Sequence, residues 1–212
     1  MTVAELRELI RARGFEADTD AQQLAFLSTV ERRLAALPHR WSWTLAADTI
    51  ALVAGTAAYA LPAGVVQVES MRYTVGASAH ELEWLDPDKL REALAESEGR
   101  GGGALHWSRT GPRTVSFWPV PSAAGIVNVT YRRRPPVLTG AASIPILPEA
   151  YQDILVVGAC ELMAQRERAW DSARAFAVER AELTRALVID DVVDQRQTPL
   201  TIAQSGFYGS AY

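Results

Sequence analysis

One segment near the C-terminal end of the chain constrains the fold more than any other, because it is apolar on nearly every side. Between residues 151 and 162, large side chains fall at almost all angles around a helix: Tyr151, Ile154, Leu155, Val156, Val157 and Leu162. A helix that is apolar all round has to be covered on several sides. The chain must cover it with its own elements, with neighbouring subunits, or with both.

This segment predicts the longest helical stretch, beginning at Pro148 and Glu149. Charges around 166–168 indicate a break, after which Asp171 or Ser172 caps another helix. Two helices are also predicted at the other end of the chain. The first has the capping-box pattern at its start, from Thr2 to Glu5, and the second begins around residues 18–20 and ends at Pro38.

Between residues 44 and 136 the hydrophobic pattern changes from helical to extended. Short β-rich runs are separated by glycine and proline turns, and Val127, Val129 and Tyr131 alternate with polar residues in the clearest of them. The glycine-rich run 98–103 is expected to be a flexible loop without regular structure. The pattern predicts an α+β fold, in which an antiparallel β region is inserted into a helical core.

The end of the chain has a different character from the rest. From Gln197 onward the sequence has no charged side chain and no helical period, yet it keeps apolar and aromatic residues. Solvated disordered tails are usually charged and poor in aromatics, so this segment is expected to dock on a partner. The expected docking residues are Pro199, Leu200, Ile202, Phe207, Tyr208 and Tyr212.

The predicted organisation has four parts. They are N-terminal helices over 1–43, a β-rich insertion over 44–136, C-terminal helices over 137–190 and an extended docking tail over 191–212.

Composition excludes several classes of protein. The net charge of −4 argues against a protein that coats a polyanion, and the single cysteine, Cys160, excludes an intrachain disulfide framework or a cysteine-cluster metal site. No apolar run reaches the roughly 18–20 residues that span a bilayer. The charged N-terminal stretch lacks the apolar core of a signal peptide. We therefore expect a soluble intracellular product without membrane contact.

No pattern of catalytic, cofactor-binding or metal-binding residues emerges. Cys160 lies in the most apolar helix, where a cysteine behaves as a small hydrophobe. His39, His80 and His106 lack the three- or four-residue spacing that places two ligands on one helical face. We expect no cofactor. An enzyme stays an alternative only if the fold itself gathers His106, acidic groups and Arg109 into one pocket.

One dense basic cluster stands out in this acidic chain: Arg132, Arg133 and Arg134. Arginines can neutralise phosphates and give salt-dependent binding without base recognition. They can equally form intersubunit salt bridges or cap the solvated end of a strand. A module that binds duplex DNA, a DNA-channel contact and a salt-bridge cluster are all open alternatives at this point.

Four motifs in order carry a resemblance to a known family. The first two are Trp41-Ser42-Trp43 and Tyr59-Ala60-Leu61-Pro62 leading into Val65-Val66-Gln67-Val68. The third is Phe117-Trp118-Pro119-Val120-Pro121, before a strand that ends in the run Tyr131-Arg132-Arg133-Arg134-Pro135-Pro136-Val137-Leu138. The fourth is Ile146-Leu147-Pro148-Glu149-Ala150-Tyr151-Gln152-Asp153-Ile154-Leu155, which opens the long helix. With these motifs, roughly residues 20–190 resemble the head-to-tail adaptor proteins of tailed bacteriophages, including the tail-tubular type of short-tailed phages.

The resemblance implies a non-enzymatic structural connector in the neck of the virion, assembled in the host cytoplasm. Such adaptors form rings, commonly of twelve subunits, beneath the portal protein, where they extend the DNA channel and join a downstream neck or tail protein. Genomic DNA would pass in contact with the ring. A tail-side completion or stopper protein is the alternative within the same assembly.

Combined with the apolar helix and the tail, the resemblance suggests two contact surfaces. The tail would dock on the portal, and the long helix would pack between subunits through Tyr151, Ile154, Leu155 and Leu162.

Overall fold

A computed structural model describes residues 1–76, 78–96 and 101–197. Within this part of the chain, the polypeptide forms helices at both ends and strands between them, which confirms the α+β class. The helices are α1 (Val3–Ala12), α2 (Asp20–Ala35), α3 (Pro87–Glu96), α4 (Asp153–Arg166) and α5 (Trp170–Gln197).

Both N-terminal helices begin with the reciprocal cap expected from sequence. The Thr2 hydroxyl accepts from the Glu5 amide while the Glu5 carboxylate accepts from the Thr2 amide, and Thr19 and Gln22 repeat this exchange at the start of α2. These bonds satisfy backbone donors that a helix N-terminus otherwise leaves free. The two helix starts are therefore encoded locally.

The C-terminal helices differ from expectation in their lengths. The break falls where predicted, with Arg168 at a φ of 62° between α4 and α5. However, α4 has 14 residues and α5 has 28, so the longest helix is the second of the pair. Because α5 continues to Gln197, the boundary expected at residue 190 is too early, and residues 191–197 are helical rather than extended.

The strands form three sheets. The larger two have the orders β1-β10-β3-β4 and β2-β8-β7-β5, and the third is the pair β6-β9. Pairing is antiparallel except for two short parallel pairs, β5 with β7 and β6 with β9. The strands are β1 (Leu45–Leu52), β2 (Ala58–Ala60), β3 (Val65–Val75), β4 (Ser78–Glu81), β5 (Glu83–Trp84), β6 (Gly101–Gly102), β7 (His106–Gly111), β8 (Thr114–Trp118), β9 (Val120–Pro121) and β10 (Gly125–Arg133).

The glycine-rich run departs from its prediction in one respect. Gly101 and Gly102 form β6, which pairs with β9, although the whole of 98–103 was expected to lack regular structure. Backbone pairing needs no side chain, so a neighbouring strand can order glycines. Residues 97–100 lie outside the described part of the chain.

Two separate apolar clusters form inside the molecule. The helical core contains residues from both ends of the chain, and the β core lies within the β region. In the helical core, α4 packs against α1, α2 and α5. The approach to α2 is close, because a Cβ on Gly158 would lie 2.6 Å from the Cγ1 of Val30. The apolar circumference of α4 is thus covered largely within a single chain.

Candidate assembly surfaces

The C-terminal part of α5 is tied to the loop before β1 by a buried carboxylate. Asp191, 4% exposed, accepts hydrogen bonds from the Ser42 amide at 3.0 Å and from the Ser42 hydroxyl. His39 Nε2 lies 2.7 Å from the same carboxylate, and Gln195 Nε2 donates to it at 2.7 Å. Gln195 also donates to the Arg40 carbonyl at 2.7 Å. We call Asp191, Gln195, His39, Arg40 and Ser42 the α5 clasp.

The electrostatics of the α5 clasp favour an ionised carboxylate. Burial by itself would raise the pKa of Asp191, but the hydrogen bonds from Ser42 and His39 outweigh burial and lower the pKa below its ordinary value. The adjacent Trp41 is buried and donates its indole N–H to the Leu34 carbonyl at 2.9 Å. The end of α5 is therefore held against a rigid aromatic corner.

The structure separates the three arginines at the end of β10. Arg132 donates to Glu69 at 2.6 Å and to the Trp41 carbonyl at 2.6 Å, so it serves as an internal tie. Arg133 is half-buried, its Nε has no hydrogen-bond partner among the described residues, and its charge acts on buried Glu31. Only Arg134 is exposed. The three arginines therefore do not form one patch of equivalent exposed charges.

Two grooves share Val66 in their lining. The first, with a volume of about 450 Å³, is lined by residues 35–40 together with Thr44, Gln67, Arg132 and Arg133. The second, of about 470 Å³, brings Arg134 together with Arg109 and Arg113, and no acidic side chain lines it. We call this second cavity the arginine groove. Arg109 is anchored there by donating to the Val66 carbonyl at 3.1 Å.

The residues expected between subunits have different environments. Ile154 and Leu155 lie in the helical core of their own chain, 1% and 0% exposed, so neither side chain is available to a neighbouring subunit. Tyr151 is partly exposed and donates to Asp190 at 2.5 Å, a bond that raises the pKa of the phenol to about 12. Leu162 is also partly exposed and lines a small cleft between α2, α4 and α5.

Along α5, four apolar side chains project to solvent at separate positions: Trp170, Val178, Ile189 and Val193. We call these four residues the exposed row. At 1.5 Å per residue it extends over about 35 Å, and exposed Asp171 and Glu182 lie between its members. Sequence analysis missed it because a helix with a weakly segregated pattern does not show which face the rest of the chain will cover.

The residues considered for catalysis have other contacts in the structure. Burial raises the pKa of the Cys160 thiol to about 11, which keeps it protonated. His106 stacks on Trp118 near Glu83, while Arg109 is bound to backbone carbonyls in the arginine groove, whose lining does not include His106. Among the described residues, no group of three or more His, Cys, Asp or Glu side chains could hold a metal ion.

Two expectations concern features outside these sites. The docking residues of the tail, from Pro199 to Tyr212, lie outside the described part of the chain. Among the helices of that part, none is both long and apolar enough to cross a membrane.

Sequence reasoning did not anticipate the α5 clasp or the arginine groove. The partners that His39 and Ser42 provide for Asp191 lie about 150 positions away in the sequence. Arg109 and Arg113 come from β7 and the turn after it, while Arg134 follows β10. The spacing of these residues in the sequence indicates neither the α5 clasp nor the arginine groove.

One family of known proteins matches the sequence. The model of the SU10 adaptor protein family matches residues 1–203, which is nearly the whole chain. No curated protein matches the sequence.

Proposed function

The chain belongs to the SU10 adaptor protein family, a family of phage head-to-tail adaptors, and from this premise we propose that copies of it form a ring beneath the portal. In this proposal the ring extends the DNA channel and joins the capsid to a downstream neck or tail protein. The family match over residues 1–203 carries the proposal. The protein acts as a structural component of the virion neck rather than as a catalyst.

The portal contact is assigned to the segment that follows α5. The α5 clasp holds the helix end at Arg40 and Ser42, so the point at which residue 198 joins the described chain is fixed. Burying their apolar side chains on the portal would offset the free energy needed to order them. The contact side chains are Pro199, Leu200, Ile202, Phe207, Tyr208 and Tyr212.

Contact between subunits is assigned to the exposed row on α5. A closed ring uses head-to-tail contacts, in which one face of a subunit meets a different face of the next. The exposed row supplies apolar contact points on one helix, and partly exposed Tyr151 and Leu162 remain available to join an interface. Ile154 and Leu155 are left out of this proposal because their own chain buries them. A ring of twelve subunits is the expected size.

Contact with the genome is assigned to the arginine groove. Arg134 is exposed there beside Arg109 and Arg113, and no acidic residue lines this groove. Such a site can touch passing phosphates without reading bases. Arg132 does not take part, since Glu69 neutralises it.

A portal pull-down tests the proposal. An N-terminally tagged full-length chain is compared with a chain ending at Gln197 and with two substituted chains, Phe207→Ser/Tyr208→Ser and the matched control Ser205→Ala/Ser210→Ala. We expect the full chain and the control to recover the portal protein in stoichiometric amount. The truncated chain should stay folded by circular dichroism and recover none, and the aromatic double variant should recover much less.

Two results would contradict the proposal. Undiminished recovery of the portal by the chain ending at Gln197 would remove the tail from the contact. Recovery of tail proteins without the portal would instead support the alternative, a tail-side completion or stopper protein.

A further inference from the structure

The first of the two grooves that share Val66 has no partner among the contacts assigned so far. Its lining includes residues 35–40, at the end of α2 and the turn after it, and its volume is about 450 Å³. We call it the corner groove. Its apolar lining is open to solvent, since Leu37 is 42% exposed and Val66 is 52% exposed. Apolar side chains exposed together beside a cavity mark a surface at which a partner can bind.

The corner groove is also cationic. Arg40, Arg132 and Arg133 line it, and none of its described lining residues is acidic. Arg132 is neutralised by Glu69, which accepts from it at 2.6 Å, whereas Arg40 lies 3.9 Å from that carboxylate and its side chain is 67% exposed. The Nε of Arg133 is buried without a hydrogen-bond partner among the described residues. A partner that fits the corner groove therefore combines apolar side chains with carboxylates.

Helix α5 carries both features on the side that faces away from its own clasp. Asp191 and Gln195 face the α5 clasp. At 3.6 residues per turn, Ile189 and Val193 lie about 160° and 200° around the helix from Asp191, on the opposite side. Their side chains are 62% and 43% exposed, and exposed Asp190 lies beside them. We call Ile189, Asp190 and Val193 the outer patch of α5.

The charge around the outer patch is opposite to that of the corner groove. Residues 186–195 contain three aspartates and no basic residue. Asp191 is used inside its own clasp, while Asp190 and Asp194 are exposed. Asp190 accepts from the neutral hydroxyl of Tyr151, a bond that leaves the negative charge of the carboxylate in place. Opposite charges on two contacting surfaces favour the correct pairing and its orientation.

The two surfaces lie on different sides of the molecule. His39 and Arg40 contact α5 on its clasp side and also line the corner groove, whereas Ile189 and Val193 point away from that side. One chain therefore cannot place its outer patch in its own corner groove, but a second copy can. Each copy then has one projecting face and one receiving face, which is the arrangement that a closed ring requires.

We propose that the corner groove of one copy receives the outer patch of α5 from a second copy. Ile189 and Val193 pack on Leu37 and Val66, and the carboxylates beside them face Arg40. This contact rests on the proposed ring, and it identifies the face of the next subunit that meets the C-terminal end of the exposed row.

Disulfide cross-linking between copies tests the contact. Chains carrying Leu37→Cys or Val193→Cys are mixed, with and without the portal protein, and oxidised. Cys160 does not compete, because it is 0% exposed. We expect a covalent dimer in the mixture and only traces of it in either chain alone. A chain with both substitutions should form a ladder of oligomers up to the closed ring, because each copy links to two neighbours.

The matched control for cross-linking is Leu37→Cys mixed with Ile144→Cys, an exposed apolar position in the loop between β10 and α4. This mixture should give no covalent dimer above the traces seen in either chain alone.

A change of charge in the outer patch gives an independent measurement. Val193→Lys places a cation against the corner groove and should weaken self-association by about tenfold or more, whereas Val193→Glu should weaken it less. Light scattering measures self-association, with Ile144→Lys as the control, and circular dichroism checks that each variant is folded. Equal weakening by Val193→Lys and Val193→Glu would contradict a cationic partner surface.

Four cross-linking results would overturn the inference. A double variant that stops at dimers would indicate a two-fold contact instead of a head-to-tail one. Absence of cross-links in chains that still form a ring on the portal would place the contact elsewhere and leave the proposed function intact. Cross-linking of Leu37→Cys to the portal or to a tail protein instead would assign the corner groove to that partner. A wild-type chain that forms no oligomer even on the portal would remove the ring itself, and this contact with it.

Discussion

The two cores of this adaptor are stabilised in different ways. The helical core encloses charged side chains, whereas the buried polar residues on the described strands are two serines, Ser108 and Ser116. The buried charged residues on the helical side are Arg7, Asp18, Glu31, Glu161 and Asp191.

The difference in buried polar residues arises because strands and helices are aligned with their neighbours by different interactions. Strands exchange backbone hydrogen bonds, so the ladder between β1 and β10 aligns distant segments without help from side chains. Helices satisfy their backbone internally, and apolar packing between them permits several similar arrangements. Buried polar ties such as the one from Asp191 to Ser42 select one arrangement. We infer that polar ties specify the helical core and backbone ladders specify the β core.

The largest effect on the free energy of unfolding is expected from removing a buried apolar side chain. Phe117 is 0% exposed in the β core, and Phe117→Ala should lower the free energy of unfolding by about 3–5 kcal/mol. Leu155→Ala should cost about 2–5 kcal/mol in the helical core. Urea denaturation followed by circular dichroism and tryptophan fluorescence measures both, with exposed Leu105→Ala as the control. A loss below about 1 kcal/mol for Phe117→Ala would contradict its place in the core.

Breaking the α5 clasp should have an intermediate effect. Asp191→Asn should lower the free energy of unfolding by about 1.5–3 kcal/mol at neutral pH, because charge-assisted hydrogen bonds are lost. The folded pKa of Asp191 is lowered, so its contribution is present above the unfolded value of about 3.9 and is lost as the pH falls through the folded pKa. The difference in free energy of unfolding between wild type and variant should therefore disappear as the pH falls.

Stability curves from pH 2 to 7 check this prediction, with Glu16→Gln, at an exposed turn position, as the control. If the difference in free energy of unfolding between wild type and Asp191→Asn stays constant with pH, the clasp does not depend on the ionised carboxylate.

The smallest expected effect has the opposite pH dependence. Glu31 accepts the Ile146 and Leu147 amides at 2.7 and 3.1 Å, but burial raises the pKa of its carboxyl. Stability should therefore fall as the pH rises above the unfolded value of about 4.3. Glu31→Gln removes this penalty while keeping an acceptor for the two amides. At pH 7 the variant should be as stable as wild type, or more stable by up to about 1 kcal/mol.

The same pH series of denaturation curves measures this prediction. A loss above about 2 kcal/mol at pH 7 would show that the charge of Arg133 holds Glu31 ionised, so that both buried carboxylates act as ion-pair ties.

Local signals predicted much of the fold. The capping boxes at Thr2 and Thr19, the change of period after residue 44 and the break near Arg168 all depend on neighbours within a few positions. The extent of α5 was underestimated, because the contacts of Asp191 and Gln195 with the loop before β1 lie far away in sequence.

The candidate surfaces were less predictable than the fold. Arg132, Arg133 and Arg134 are adjacent in sequence, yet one pairs with Glu69, one is half-buried beside Glu31 and one is exposed. Their difference depends on what other segments bring to the end of β10. Adjacent residues of one strand point to opposite faces, so sequence proximity alone could not assign them one role.

By itself, the sequence determined the α+β class, the positions of the caps and turns, and the motifs that indicate a phage adaptor. Each of these depends on backbone preferences and side-chain periods that act over a few residues. Only the tertiary structure decided which elements cover α4, which arginine is exposed and where the end of α5 is held. Those outcomes depend on contacts between segments up to about 150 residues apart, and the packing of the whole chain determines such contacts.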